Sequence, residues 1–207
     1  MTDHEEMFVT SVESAFAFLC RDLDFELDGT TADTNALGFS SYSAKYLRTR
    51  ANGQWQSVTI QTTPDRGELC IDLASRLPAS DSPEFTLTLC ELHEIESSKP
   101  NPSYSVSDAF GDIDMMTRQY KDLASLLRDY GSRFFGSDGT LAADIDALRK
   151  MPRKERERRQ KDRAIEAAIT AGEWGRVVVY LEGLGSTKTP EQRESLKLAR
   201  AKIRLTG

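Results

Sequence analysis

The sequence predicts an α+β fold: an antiparallel sheet of about four strands covered by an N-terminal helix and a long helix, then a small all-helical appendage. Three observations carry this expectation. Apolar residues near the N-terminus recur every three or four positions. The following stretch alternates with a period of two between turn signals. From residue 113 the helical period returns and, apart from residues 153–163, continues to Ile203. The chain has 207 residues, of which 39% are hydrophobic and 29% charged, so it can bury one medium core and carry an appendage. The periodicity divides it into a body over 1–150, a charged helical linker over 151–163 and a helical hairpin over 164–207.

The first helix is marked by Phe8, Val12, Phe16, Leu19 and Leu23, with Ala15 and Phe18 widening the stripe. Thr2 and Glu5 have the spacing of a capping box ahead of it, and Gly29-Thr30-Thr31 is expected to end the regularity. Four strands follow. Tyr42, Ala44 and Tyr46 mark the first, and Val58 and Ile60 the second, joined through the Asn52-Gly53 turn signal. Leu69, Ile71 and Leu73 mark the third, after the turn Pro64-Asp65-Arg66-Gly67. Phe85, Leu87 and Leu89 mark the fourth, after a loop from Pro78 to Pro83. Tight turns between them predict an antiparallel meander with one apolar face that needs a cover.

The cover is a helix of about six turns, whose stripe runs Ile113, Met116, Tyr120, Leu123, Leu127, Tyr130 and Phe134 after the Lys99–Pro102 loop. Asp108 or Asp112 is expected to cap it, and Asp114 suits the positive end of its dipole. Gly136-Ser137-Asp138-Gly139 is a break. Leu141, Ile145 and Leu148 mark a short helix stopped by Pro152. Residues 153–163 contain no apolar side chain. Ile165, Ala168 and Ile169 restart the pattern, and Ala171-Gly172-Glu173-Trp174 is a helix–turn–helix junction. Trp174, Val177, Val178 and Leu181 form the next stripe, stopped by Gly183 and Gly185. Thr189 and Gln192 form a capping box, with Pro190 at the first helical position, ahead of a last helix with Leu196, Ala199 and Ile203.

Charge is unevenly divided. The chain is net −6, but residues 151–207 hold 14 Lys and Arg against 8 Asp and Glu, leaving 1–150 at net −12. An acidic body repels nucleic acid and attracts basic partners. No stretch of about 18 apolar residues exists to span a membrane, and the acids among the first six residues do not suit a signal peptide. A cytoplasmic protein that does not engage membranes is the expectation.

The residues offer little for catalysis. The only histidines, His4 and His93, have no HExxH spacing, and no metal or cofactor is expected. Cys20, Cys70 and Cys90 are odd in number and widely spaced, so buried free thiols are expected. Cys90 and His93, three apart on an extended strand, point to opposite faces, which argues against a Cys–His pair unless a bulge brings them together. No G-x-S-x-G occurs. Gly183-Leu184-Gly185-Ser186 follows a helix and lacks a third glycine, so it is a helix stop and not a phosphate cradle.

Two charged segments remain as candidates for binding. Asp22, Asp24, Glu26 and Asp28 alternate with Leu23, Phe25 and Leu27, so on an extended segment all four acids share one face. That face suits a partner rich in Lys or Arg, or it solubilises an edge strand. The run Arg153, Lys154, Arg156, Arg158, Arg159, Lys161 and Arg163 is the alternative, a phosphate-binding stripe. It lacks interleaved aromatics. Glu155, Glu157 and Asp162 dilute it, and Glu155–Arg159 and Glu157–Lys161 have the spacing that stabilises a solvated helix.

Two resemblances complete the reading. Residues 165–203 resemble a single tetratricopeptide-like helical hairpin with a capping helix, through Ala167, Ala168, the Gly172-Glu173-Trp174 turn and Leu181. The body, over about 5–150, resembles bacterial immunity-type proteins. The shared layout is a leading helix with Phe16-Ala17-Phe18-Leu19, hairpin strands, and a helix reading DLASLLRDYGSRFFGSD from Asp122 to Asp138. This resemblance implies a non-enzymatic inhibitor that occludes a basic toxin through an acidic surface; a nucleic-acid-associated or regulatory protein acting through 153–163 is the alternative.

Overall fold

A computed structural model describes residues 3–34, 36, 38–51, 53–64, 68–76, 84–97, 113–185 and 188–206. Thr2, Asn52, residues 65–67, 78–83 and 99–102, Asp108, Asp112 and Ser186 lie outside these described residues, and with them the caps, turns and loops expected there. The fold is α+β. The chain forms two compact units, Met1–Glu96 with Pro102–Leu148, and Ser97–Asn101 with Arg149–Gly207.

The first unit starts with helix α1 (Asp3–Leu23) and continues as five strands: β1 (Glu26–Thr34), β2 (Ser40–Thr49), β3 (Trp55–Thr63), β4 (Glu68–Arg76) and β5 (Phe85–Thr88). They form one antiparallel meander in the order β1-β2-β3-β4-β5. The apolar alternation lands in register. Tyr46, Val58, Leu73 and Leu87 face one another across four strands, and Ala44, Ile60 and Ile71 form the next row. All are buried beneath α1 and helix α3 (Ile113–Tyr130). Phe8, Val12, Phe16 and Leu19 supply the α1 side of this core, and Met116, Tyr120, Leu123 and Leu127 the α3 side. The Phe8 ring sits 5.8 Å from Tyr42 and 6.0 Å from Tyr120, tying both helices to the sheet.

Three expectations are corrected here. The sheet has a fifth strand, β1, where Gly29-Thr30-Thr31 was expected only to end a helix. Its residues are exposed throughout, and past Leu27 neither apolar alternation nor β-branched apolar residues announce it. The last expected strand stops at Thr88, and Leu89 to Glu96 is helix α2. A reciprocal cap explains the switch. Thr88 N–H donates to Glu91 Oε2 at 3.0 Å, and Glu91 N–H donates to Thr88 Oγ1 at 3.1 Å. Cys90 and His93 therefore sit on a helix, not on opposite faces of a strand. Finally, the long helix does not reach Phe134. It ends at Tyr130, turns at Gly131, and resumes as the single turn α4 (Ser132–Phe135) before α5 (Leu141–Lys150).

The second unit contains α6 (Arg153–Thr170), α7 (Trp174–Glu182) and α8 (Pro190–Thr206). The charged stretch and the apolar Ile165 and Ala168 belong to one continuous helix, α6. Ile165, Ala168, Val177, Leu181 and Ala199 form its core, with Trp174, Val178 and Leu196 partly buried against it. Gly172 adopts φ +70°, and the N–H groups of Gly172 and Glu173 donate back to Ile169 and Ala168 at 3.1 and 2.9 Å, closing the α6–α7 junction. The Thr189–Gln192 box is formed in both directions, at 2.9 and 3.2 Å.

Candidate partner-binding surface

The four acids do not lie on one extended segment. Asp22 closes α1, where the Arg21 guanidinium 2.7 Å away holds its carboxyl below the usual range by hydrogen bonding. Asp24 lies between helix and strand at φ +58°, a left-handed conformation that non-glycine residues rarely adopt. The Phe25 N–H reaches back to the Leu19 carbonyl at 3.0 Å and secures this turn. Glu26 opens β1. Asp28 falls at a register irregularity between Leu27 and Gly29, and its carboxylate meets Lys45 Nζ at 3.0 Å. Helix, left-handed turn and bulged strand thus replace the expected single face. The structure nevertheless brings three of the acids together. Asp24, Glu26 and Asp28 line one open depression with Leu27, Leu47, Arg48 and Thr49.

Arg48 sets the position of that depression, and the sequence reading did not single it out. Its Nη1 donates to the Leu23 carbonyl at the end of α1, at 2.8 Å, and its Nη2 donates to the Phe135 carbonyl, at 2.9 Å, and to Gln56. The guanidinium stacks 4.7 Å from the Phe25 ring. Burial, then repulsion from Arg50, pushes its pKa down. Gln56 in turn donates to the Phe134 carbonyl. A polar row therefore ends the apolar face of the sheet and satisfies the last carbonyls of α1 and α4.

A second groove lies on the other side of Leu27. Glu13, Ala17, Cys20 and Arg21, one face of α1, line it together with Leu27 and Tyr46. Cys20 is exposed there, which corrects the expectation of a buried thiol; Cys90 is exposed as well, and Cys70 is half-buried. Burial and the carboxylates of Glu13 and Glu26 push the Cys20 thiol up, against a backbone hydrogen bond from Leu27. Burial and Asp72, which accepts from its Sγ at 3.2 Å, push Cys70 up to about 12. Burial, then Glu91 and Glu94, pushes Cys90 up. Raised thiols stay protonated near neutrality and are poor nucleophiles. His93 is buried with its ring 4.7 Å from Tyr130. Among the described residues, no three of His, Cys, Asp and Glu come together as a metal-binding group.

The basic residues Arg153, Lys154, Arg156, Arg158, Arg159, Lys161 and Arg163 all fall on α6. Arg159 pairs with Glu155 at 3.1 Å, and Arg158 approaches Asp162 at 3.8 Å. Glu157 pairs with Arg153 at 2.7 Å in place of the expected Lys161. Asp162 also accepts from Gln192 at 2.9 Å, which ties α6 to α8. Lys154, Arg158 and Arg159 share an open surface with Glu155 and Asp162, so cations alternate there with carboxylates.

Arg133 centres a third polar cluster without an obvious sequence signal. It meets Glu96 at 2.8 Å and Asp138, Asp144 and Thr140 Oγ1 each at 2.7 Å, joining α2, α4 and α5. The Arg133 hydrogen bond, then the Thr140 N–H and hydroxyl, lower the Asp138 carboxyl to about 2. A lowered carboxylate stabilises the fold fully above its ordinary pKa, and that contribution is lost as pH falls toward about 2. Between pH 5 and 2, the urea midpoint of Asp138→Asn is therefore expected to fall less steeply than that of the unaltered chain; equal slopes would assign acid sensitivity to other carboxylates.

A scan against protein-family models matches none, and searches of curated proteins and of solved structures return no match. No helix among the described residues is long and apolar enough to cross a membrane.

Proposed function

We propose that this chain is a non-enzymatic protein-binding protein, an immunity-type inhibitor that occludes a basic toxin domain through the acidic surface at the α1–β1 junction. The observation that supports this most is Asp24. Glycine fits a left-handed turn with less strain, yet a carboxylate occupies it beside Glu26 and Asp28. The surrounding segment, 1–150, is net −12, so a cationic partner is attracted from a distance and held at the depression. The cation–carboxylate pairing along α6 suits a solvated helix better than a phosphate-binding stripe.

The test separates binding from stability. Asp24→Gly is expected to leave the fold unchanged or stabilise it by about 1 kcal/mol. In a pull-down from native lysate at low and moderate salt, the same variant combined with Glu26→Lys is expected to lose a stoichiometric basic protein that the unaltered chain retains. Recovery of nucleic acid instead, lost on reversing Arg156, Arg158 and Arg159, would overturn this reading in favour of α6.

A further inference from the structure

We propose that the groove between α1 and β1 receives an extended segment of the basic partner, alternating cationic and apolar side chains, which adds to the free edge of β1 as a further strand. The inference rests on the acidic-surface reading and specifies how the partner docks.

Among the described residues, β1 is a terminal strand of the sheet, nine residues long, and exposed along its whole length. The opposite edge, β5, has four residues. A terminal strand presents unpaired backbone N–H and C=O groups, and an added strand satisfies them. The side chains of β1 are sorted by face. Register places Leu27 opposite Tyr46, Thr30 opposite Ala44 and Ala32 opposite Tyr42, the buried row of β2, so these uncharged residues share the α1 side. Glu26 lies opposite Leu47 and Asp33 opposite Ser41, while Asp28 pairs with Lys45, so the acids take the other side. A strand laid along this edge therefore meets apolar or small side chains on one face and carboxylates on the other. Alternation of apolar and basic residues is its complement.

The α1 side is shaped to accept the apolar half. Ala17 and Cys20 form one wall of the groove, and Leu27, 37% exposed, forms the other. Tyr46 closes the base of the groove, 2% exposed. A second copy of the chain is disfavoured as occupant because its own edge carries the same acids.

The test uses the full chain and two synthetic peptides as long as β1, one alternating Lys and Val, the other with the same composition in separate Lys and Val blocks. The alternating peptide is expected to bind about tenfold more tightly and to slow hydrogen exchange at β1 amides. Ala17→Trp fills the groove from an exposed position on α1, and is expected to weaken the alternating peptide about tenfold with unchanged Tm. Equal binding of both peptides, insensitive to Ala17→Trp but lost on Glu26→Lys, would overturn strand addition and leave the acidic-surface reading standing. No binding of either peptide, with lysate capture indifferent to Glu26→Lys, would remove both. A concentration-dependent dimer abolished by Ala17→Trp would overturn the proposal by assigning the edge to a second copy.

Discussion

Arg48→Met is expected to lower the unfolding free energy by about 3 kcal/mol, seen as a lower urea midpoint with an unchanged slope. Methionine keeps most of the apolar stem but none of the donors. The Leu23 and Phe135 carbonyls, held at 2.8 and 2.9 Å, lose a charged donor together, as does Gln56. These carbonyls end α1 and α4, where the helix dipoles favour a cation. The Phe25 ring loses its guanidinium as well. Arg48→Lys is expected to recover only part of the loss, because an ammonium cannot span separate acceptors as a planar fork does. The effect reaches the proposed binding surface. Asp24 follows directly on Leu23 and Glu26 lies two residues beyond Asp24, so amides from Leu19 to Leu27 are expected to exchange faster in Arg48→Met. A loss below about 1 kcal/mol would mean that water already satisfies these carbonyls.

Gly131→Ala is expected to cost about 2–3 kcal/mol, and Gly131→Val more. Gly131 is buried between α3 and α4, with its N–H on the Leu127 carbonyl at 2.8 Å and its own carbonyl accepting from Phe135 at 2.9 Å. A Cβ placed there meets the Leu127 oxygen and comes within 2.6 Å of the Phe135 ring. That ring has little room to retreat, being packed edge-on at 5.9 Å from Phe25 and 5.5 Å from Phe134. Gly139→Ala is the control. Nothing lies within 4 Å of its Cβ position, and a change within about 0.5 kcal/mol is expected. Thermal melts of the two variants side by side decide the matter; equal shifts would show that the α3–α4 turn adjusts at little cost.

These two residues also show where sequence reasoning stops. The stripe from Ile113 to Phe134 keeps helical spacing straight through Gly131, because α4 resumes on the same side after the turn. Periodicity registers the buried face and misses the interruption. The opposite error occurs at Leu89. Phe85, Leu87 and Leu89 all face the core, and the period of two runs on by one residue into α2. The signal that separates strand from helix was present as Thr88-Leu89-Cys90-Glu91, a capping box whose two hydrogen bonds form in the structure. β1 carried a weaker signal, the acid and apolar alternation that ends at Leu27 and Asp28. The rest of ELDGTTADT is mostly polar and contains glycine, and it is a strand because β2 pairs with it.

Local patterning is enough to specify the α+β class, the apolar faces of β2 to β5, the two helices that cover them, the α6–α7 junction and the start of α8. Each of these is written in residues a few positions apart, through periods of two and 3.6 and through local caps. Tertiary structure decided the rest. Whether Asp22, Asp24, Glu26 and Asp28 share a face depends on where α1 ends, which the Phe25–Leu19 hydrogen bond and Arg48, more than twenty residues downstream of Leu23, help to hold. Which strand lies at the edge, and what lines the groove beside it, depends on the order of five strands and the helix laid across them. Those are contacts between distant residues, and no local pattern encodes them.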